Sequence, residues 1–201
     1  MLVVVSLYAV LSGLLLRGRP GDLPGPGLGA ANRITLGRAV LALPVGALAL
    51  TADMLGATGY WWIIALSTVA MLLDGLDGRI ARATGTETLF GARFDMELDA
   101  ALIMILSLLV WMTGKVGAWV LLVGLMRYAF VAAAAVWPAL RADLPDSFRR
   151  KAVCVLQGVA LLVALGPIIS PSLATLVAGA GLSALTYSFA VDVHFLLRRP
   201  A

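Results

Sequence analysis

Asp74, Asp77, Asp95 and Asp99 stand close together in a chain that is 61% hydrophobic and only 13% charged. The first two are three residues apart and the last two four apart, spacings that place each pair on one face of a helix. If the two faces meet, four carboxylates converge and their mutual repulsion needs compensation. Hard divalent cations supply it: Mg²⁺ or Mn²⁺ takes carboxylate oxygens and keeps positions for water and substrate phosphates. Two such ions can clamp both the attacking and the leaving oxygen of a phosphoryl displacement. The competing assignment is a set of interfacial ion pairs with Arg79, Arg82 and Arg93 of the same stretch. Gly75, Gly78 and Gly91 favour a ligand site, because each costs a helix about 1 kcal/mol relative to Ala and a bare backbone admits a ligand closely.

The elements that position these groups belong to a membrane. Soluble domains carry about 25% charged residues, whereas this chain has 13% and a mean hydropathy of +0.99. Backbone hydrogen bonds in lipid close within each helix, so the expected fold is an all-α integral membrane protein. Apolar windows fall at 1–16, 34–52, 58–76, 94–113, 116–137, 152–167 and 171–196. The last six approach the length that crosses a bilayer, about 17 to 25 residues. A core bundle of six transmembrane helices is therefore expected, plus a short N-terminal hydrophobic helix whose spanning or interfacial placement stays open. Lack of a small-residue cleavage site before Arg17 disfavours a signal peptide. Gly and Pro in 17–32 mark a linker, which divides the chain into a segment 1–31 and a membrane domain 32–201.

Threading the six helices sends thirteen Lys and Arg residues to one face, Arg79, Arg82, Arg93 and Arg149 to Lys151 among them, and Lys115 alone to the other. By the positive-inside rule the rich face is cytoplasmic. The site then faces the cytoplasm, with a prokaryotic inner membrane as the expected location. Tyr60, Trp61, Trp62, Trp111 and Trp119 fall at the opposite interface, where amphipathic rings belong. The net charge of +4 reads as topology and contact with anionic lipid rather than nucleic-acid binding. A single cysteine, Cys154, excludes an intrachain disulfide.

Asp74-x-x-Asp77-Gly78-x-x-Ala81-Arg82, eight residues, then Gly91-x-x-x-Asp95-x-x-x-Asp99 resembles the signature of the CDP-alcohol phosphotransferases at every fixed position. Asn32 to Arg38, NRITLGR, is similar to the pattern that opens the first core helix of that family, whose core also has six spans. The resemblance implies transfer of a phosphatidyl group from CDP-diacylglycerol to an alcohol with release of CMP, dependent on two divalent cations, Mg²⁺ or Mn²⁺. It implies that Asp74, Asp77, Asp95 and Asp99 are metal ligands and that Asp99 is also the general base for the acceptor hydroxyl. Gly78 and Gly91 would admit the cytidine, Arg82 would hold the diphosphate, and Asn32, Thr35 and Thr88 would complete the nucleotide pocket. Relatives form homodimers, so a homodimer is expected.

The acceptor side is read from isolated cations. Arg127 lies inside the fourth span, where an ionisable residue is a functional candidate by default. With Arg149, Arg150 and Lys151 at the mouth of the fifth it would bind a phosphorylated acceptor, glycerol 3-phosphate first and inositol phosphate second. The stretches around Arg127 and Lys151 distantly resemble those of glycerol-phosphate-using relatives, but Tyr128 replaces an acidic residue and Cys154 a threonine. Topology marking is the plainer reading of residues 149–151. Two other functions fit parts of the pattern: an aminoalcohol phosphotransferase taking soluble CDP-choline or CDP-ethanolamine with diacylglycerol, and a divalent-cation transporter. A transporter site belongs near the bilayer midplane, often between repeated halves, whereas these aspartates sit at a span's end and no internal repeat is visible.

Overall fold

The computed structural model describes residues 44–49, 55–84, 89–142, 144–145 and 147–198, with 37, 40 and 42 before them; for 76–84, 89–94 and 141 the description is of the backbone. Among the described residues there is no strand. Residues 44–49 are helical, followed by α1 (Ala57–Thr84), α2 (Leu89–Met112), α3 (Leu121–Val136), α4 (Phe148–Leu165) and α5 (Pro171–Arg198). The expected N-terminal helix within 1–16 lies outside the described residues.

Among the described residues, three segments are long and apolar enough to cross a membrane: Ala57–Gly75, Ala118–Val136 and Pro171–Arg198. The remaining long helices, α2 and α4, coincide with expected spans but carry charge at their N-terminal ends, Arg93 to Asp99 in α2 and Arg149 to Lys151 in α4. Their helices also begin before the apolar windows do, at Leu89 and Phe148, and α1 runs past its window to Thr84. Apolar composition marks the part of a helix that lies in hydrocarbon. Hydrogen bonding carries the helix on into the polar border, which is where the charged residues sit. Leu72, Val136, Ile168 and Leu176 are each at least 70% exposed, which suits a surface solvated by lipid chains.

The chain divides into two compact units, Met1–Leu102 and Ile103–Ala201. In the first, α1 buries Ile63, Ser67 and Ala70. The second holds the end of α2 and α3 to α5. Its helix ends follow local chemistry. Gly114 stops α2, donating to the Trp111 carbonyl at 2.9 Å with φ +69°, a backbone state that favours glycine. Pro138 stops α3 after an extended Trp137. Pro171 opens α5, and the Ser170 hydroxyl accepts from the Leu173 amide at 3.4 Å.

Small residues set the helix spacing in this unit, as expected where lipid rather than water surrounds the bundle. At Gly124 of α3 a Cβ would fall 2.7 Å from the Met104 Cα and 2.9 Å from the Ser107 Oγ. Gly124→Ala should therefore force α3 away from the end of α2, at a cost of about 1 to 3 kcal/mol; an unchanged thermal midpoint in detergent would show that the two backbones are not in contact. Gln157, buried in α4, donates to the Gly181 carbonyl of α5 at 2.6 Å. At the opposite end from the α3–α4 connection, Lys115 donates through Nζ to the Gly166 carbonyl at 2.6 Å and accepts at its own carbonyl from Thr175 at 3.3 Å. Burial pushes the Lys115 ammonium pKa down.

Candidate active site

Asp74 comes from α1, and Asp95 and Asp99 from α2, all in the first unit. Each is half-buried, and one carboxylate oxygen from each lies within 4.8 Å of the others. Four residues separate the end of α1 from the start of α2. So short a connection returns the chain antiparallel beside itself, bringing the end of one helix against the start of the next. The helical turn then aligns Asp95 with Asp99, while Glu97, two residues from each, is exposed.

The donor set suits a hard divalent cation. Oxygens at about 2.1 Å on opposite sides of a Mg²⁺ ion lie about 4.2 Å apart, within the 4.8 Å over which these oxygens are gathered. All three candidate ligands are carboxylates, which favour Mg²⁺ or Mn²⁺ over softer metals.

The other residues expected at the site divide into two groups. Asp77, Gly78 and Arg82 lie within α1, and Gly91 lies in the first turn of α2, four residues before Asp95, so the spacing within each half of the motif is carried by continuous helix. Asn32, Thr35 and Thr88 lie outside the described residues. Gly75, one residue from Asp74, is exposed, and a Cβ there would meet no atom within 4 Å. Packing among the described residues does not explain this glycine, whereas an approaching ligand would.

In the second unit, Arg149 is committed to α5. Its Nη2 pairs with the Asp192 carboxylate at 2.5 Å, and its Nη1 donates to the Ser188 carbonyl at 2.5 Å and to the Ser188 hydroxyl. Arg150 stands 3.7 Å from the same carboxylate and donates to the Pro145 carbonyl. Lys151 is exposed. Asp192 was not among the residues singled out from the sequence. An acidic residue in the last span is itself a signal, but its partner lies 43 positions away and only folding reveals it.

A two-helix set of converging carboxylates that could hold a metal ion, on a helical chain with segments long and apolar enough to cross a membrane, defines the class of site. A family model described as CDP-alcohol phosphatidyltransferase matches residues 28–191. The chain belongs to that family, which makes it a phosphotransferase and sets aside the transporter. Family members use CDP-alcohol substrates and are generally dependent on divalent cations. No curated protein and no solved structure matches it.

Proposed function

We propose that this enzyme transfers a phosphatidyl group from CDP-diacylglycerol to a small polar alcohol and releases CMP, as a step of phospholipid synthesis. The gathering of Asp74, Asp95 and Asp99 within 4.8 Å carries this reading. Asp77 is the fourth ligand of the set, and the catalytic domain is residues 32–201. Magnesium or manganese ions held by these carboxylates would neutralise the diphosphate and the departing phosphate.

The chain's own part is to position and to move one proton. Asp99 takes the proton of the acceptor hydroxyl, a task that needs a carboxylate within hydrogen-bond reach. The freed oxygen attacks the phosphorus that carries diacylglycerol. The bond from that phosphorus to the bridging diphosphate oxygen breaks, and CMP leaves with that oxygen. Arg82 steadies the diphosphate as charge shifts toward CMP. Gly78 and Gly91 admit the cytidine, with Asn32, Thr35 and Thr88 at its edges. In this reading the site faces the cytoplasm of a prokaryotic cell, and the enzyme works as a homodimer of six-span subunits.

For the acceptor, Arg127 on α3 is the proposed phosphate-binding residue, with Arg150 and Lys151. Glycerol 3-phosphate is the first candidate and inositol phosphate the second. The pairing of Arg149 with Asp192 favours a smaller share for Arg149, and it lends weight to the second reading, an uncharged diacylglycerol acceptor with a soluble CDP-aminoalcohol donor. Arg127→Ala should raise the KM for a phosphorylated acceptor about tenfold or more, the loss of one charged hydrogen bond, with a smaller effect on the CDP-lipid. Equal loss with phosphorylated and unphosphorylated acceptors would remove Arg127 from this role.

The deciding assay is CMP release from CDP-diacylglycerol with Mg²⁺ or Mn²⁺, run across glycerol 3-phosphate, inositol phosphate, inositol, serine and choline. Stimulation by one of them names the acceptor. Release from CDP-choline or CDP-ethanolamine with diacylglycerol, and none from CDP-diacylglycerol, would establish the second reading. Gly75→Ala adds an independent check on where the donor lies. Replacing the exposed helical glycine should leave the fold intact or stabilise it by about 0.5 to 1 kcal/mol, while turnover falls if the donor passes over this backbone. Full activity in that variant would place the donor elsewhere.

A further inference from the structure

An apolar groove of about 470 Å³ runs between α3 and α5, wholly within the second unit. Every residue that lines it is apolar; Phe130 and Ala133 lie on α3, and Phe189 and Val193 on α5. The rings of Phe130 and Phe189 meet edge to face, their centroids 5.6 Å apart. On α3 the lining runs from Met126 to Ala133 and on α5 from Phe189 to Leu197, seven and eight residue steps, or about 10 to 12 Å at 1.5 Å per residue. That is a slot for an extended alkyl chain.

Its surroundings and its charge narrow the occupant. α3 lies within, and α5 makes up, a segment long and apolar enough to cross a membrane, so hydrocarbon is the expected solvent beside them. At the end where both helices finish, Leu140 and Leu197 line the groove. Each is followed directly by an arginine: Arg141 closes the 3-10 turn Pro138–Arg141, and Arg198, exposed, closes α5. Trp137, 62% exposed, lines the same end, as befits an indole at a headgroup boundary. Two arginine positions at the mouth of an apolar slot complement a lipid whose headgroup is negative.

We propose that this groove holds one acyl chain of an anionic membrane phospholipid, with the lipid phosphate at the end marked by Arg141 and Arg198. The site needs nothing from the carboxylates of the first unit, so it stands or falls separately from the proposed reaction.

The test uses the purified full chain in detergent with EDTA, titrated with dioleoylphosphatidylglycerol or dioleoylphosphatidylcholine and followed by native mass spectrometry and thermal unfolding. One phosphatidylglycerol should stay bound and raise the Tm at a concentration about fivefold or more below that needed for phosphatidylcholine. Ala133→Trp, which fills the slot, should abolish retention. Arg141→Gln with Arg198→Gln should keep a lipid but lose the preference for the anionic one. Should the tryptophan variant not fold, brominated phosphatidylglycerol provides the readout. It should quench wild-type fluorescence more than brominated phosphatidylcholine does, and Trp137→Phe should remove the difference. Unchanged retention in Ala133→Trp, an anionic preference that survives loss of both arginines, or quenching unaffected by Trp137→Phe would overturn the proposal. So would a change from dimer to monomer in Ala133→Trp without loss of lipid, which would make the groove a contact between two copies.

Discussion

Asp99→Asn should reduce CMP release by about 10²- to 10⁴-fold, the range that a positioned general base contributes, and leave the protein folded. The amide keeps the shape of the carboxylate but cannot take a proton from the acceptor hydroxyl. Stability should move the other way from activity. Asp74, Asp95 and Asp99 bring their oxygens within 4.8 Å of one another, and like charges at such range repel. Removing one of them in metal-free buffer should therefore hold or raise the thermal midpoint. Added Mg²⁺ or Mn²⁺ should then stabilise the variant less than the wild type, because binding to the folded state alone raises stability in proportion to affinity. Retained turnover would remove Asp99 as base. An equal metal-dependent rise in both proteins would remove it as ligand, and the two results are independent.

Arg149→Ala should act on stability first. The guanidinium joins α4 to α5 through Asp192 and Ser188, and its removal leaves Asp192, 12% exposed at the side chain, with Arg150 at 3.7 Å as the neighbouring cation. Breaking one partner of a fully buried pair costs about 3 to 5 kcal/mol. Here the Arg149 side chain is 27% exposed, so a smaller loss, about 2 kcal/mol, is expected once solvent screening is allowed for. Asp192→Asn should cost a similar amount. The double replacement Arg149→Met with Asp192→Leu should recover much of it, since an apolar pair leaves no uncompensated charge. Closing the cycle with the single replacements Arg149→Met and Asp192→Leu isolates the coupling between the two side chains. Additive losses would mean that they do not depend on each other. A rise in acceptor KM with no loss of stability would return Arg149 to the acceptor-binding role suggested by its place in the sequence.

The gathering of Asp74, Asp95 and Asp99 was legible because it is local. Helical spacing alone aligns Asp95 with Asp99, and the short step from Thr84 to Leu89 leaves the two helices little choice but to run side by side. Membrane character and the helical class were equally legible, since both follow from composition and from the requirement that backbone groups be satisfied in lipid. Helix ends were less so. The apolar windows stopped at the hydrocarbon, but α1 and α2 continue through the charged border on hydrogen bonds that hydropathy does not register.

What only the tertiary structure decided are the pairings between helices distant in the chain. Arg149 looked like an anion-binding cation until folding set Asp192 beside it, 43 residues on. The contact of Gly124 with Met104 and the groove between Phe130 and Phe189 depend in the same way on which faces pack. In a bundle solvated by lipid, hydrophobicity does not tell an inward apolar face from an outward one. Small residues, polar pairs and side-chain shape make that choice, and they act only when the helices meet.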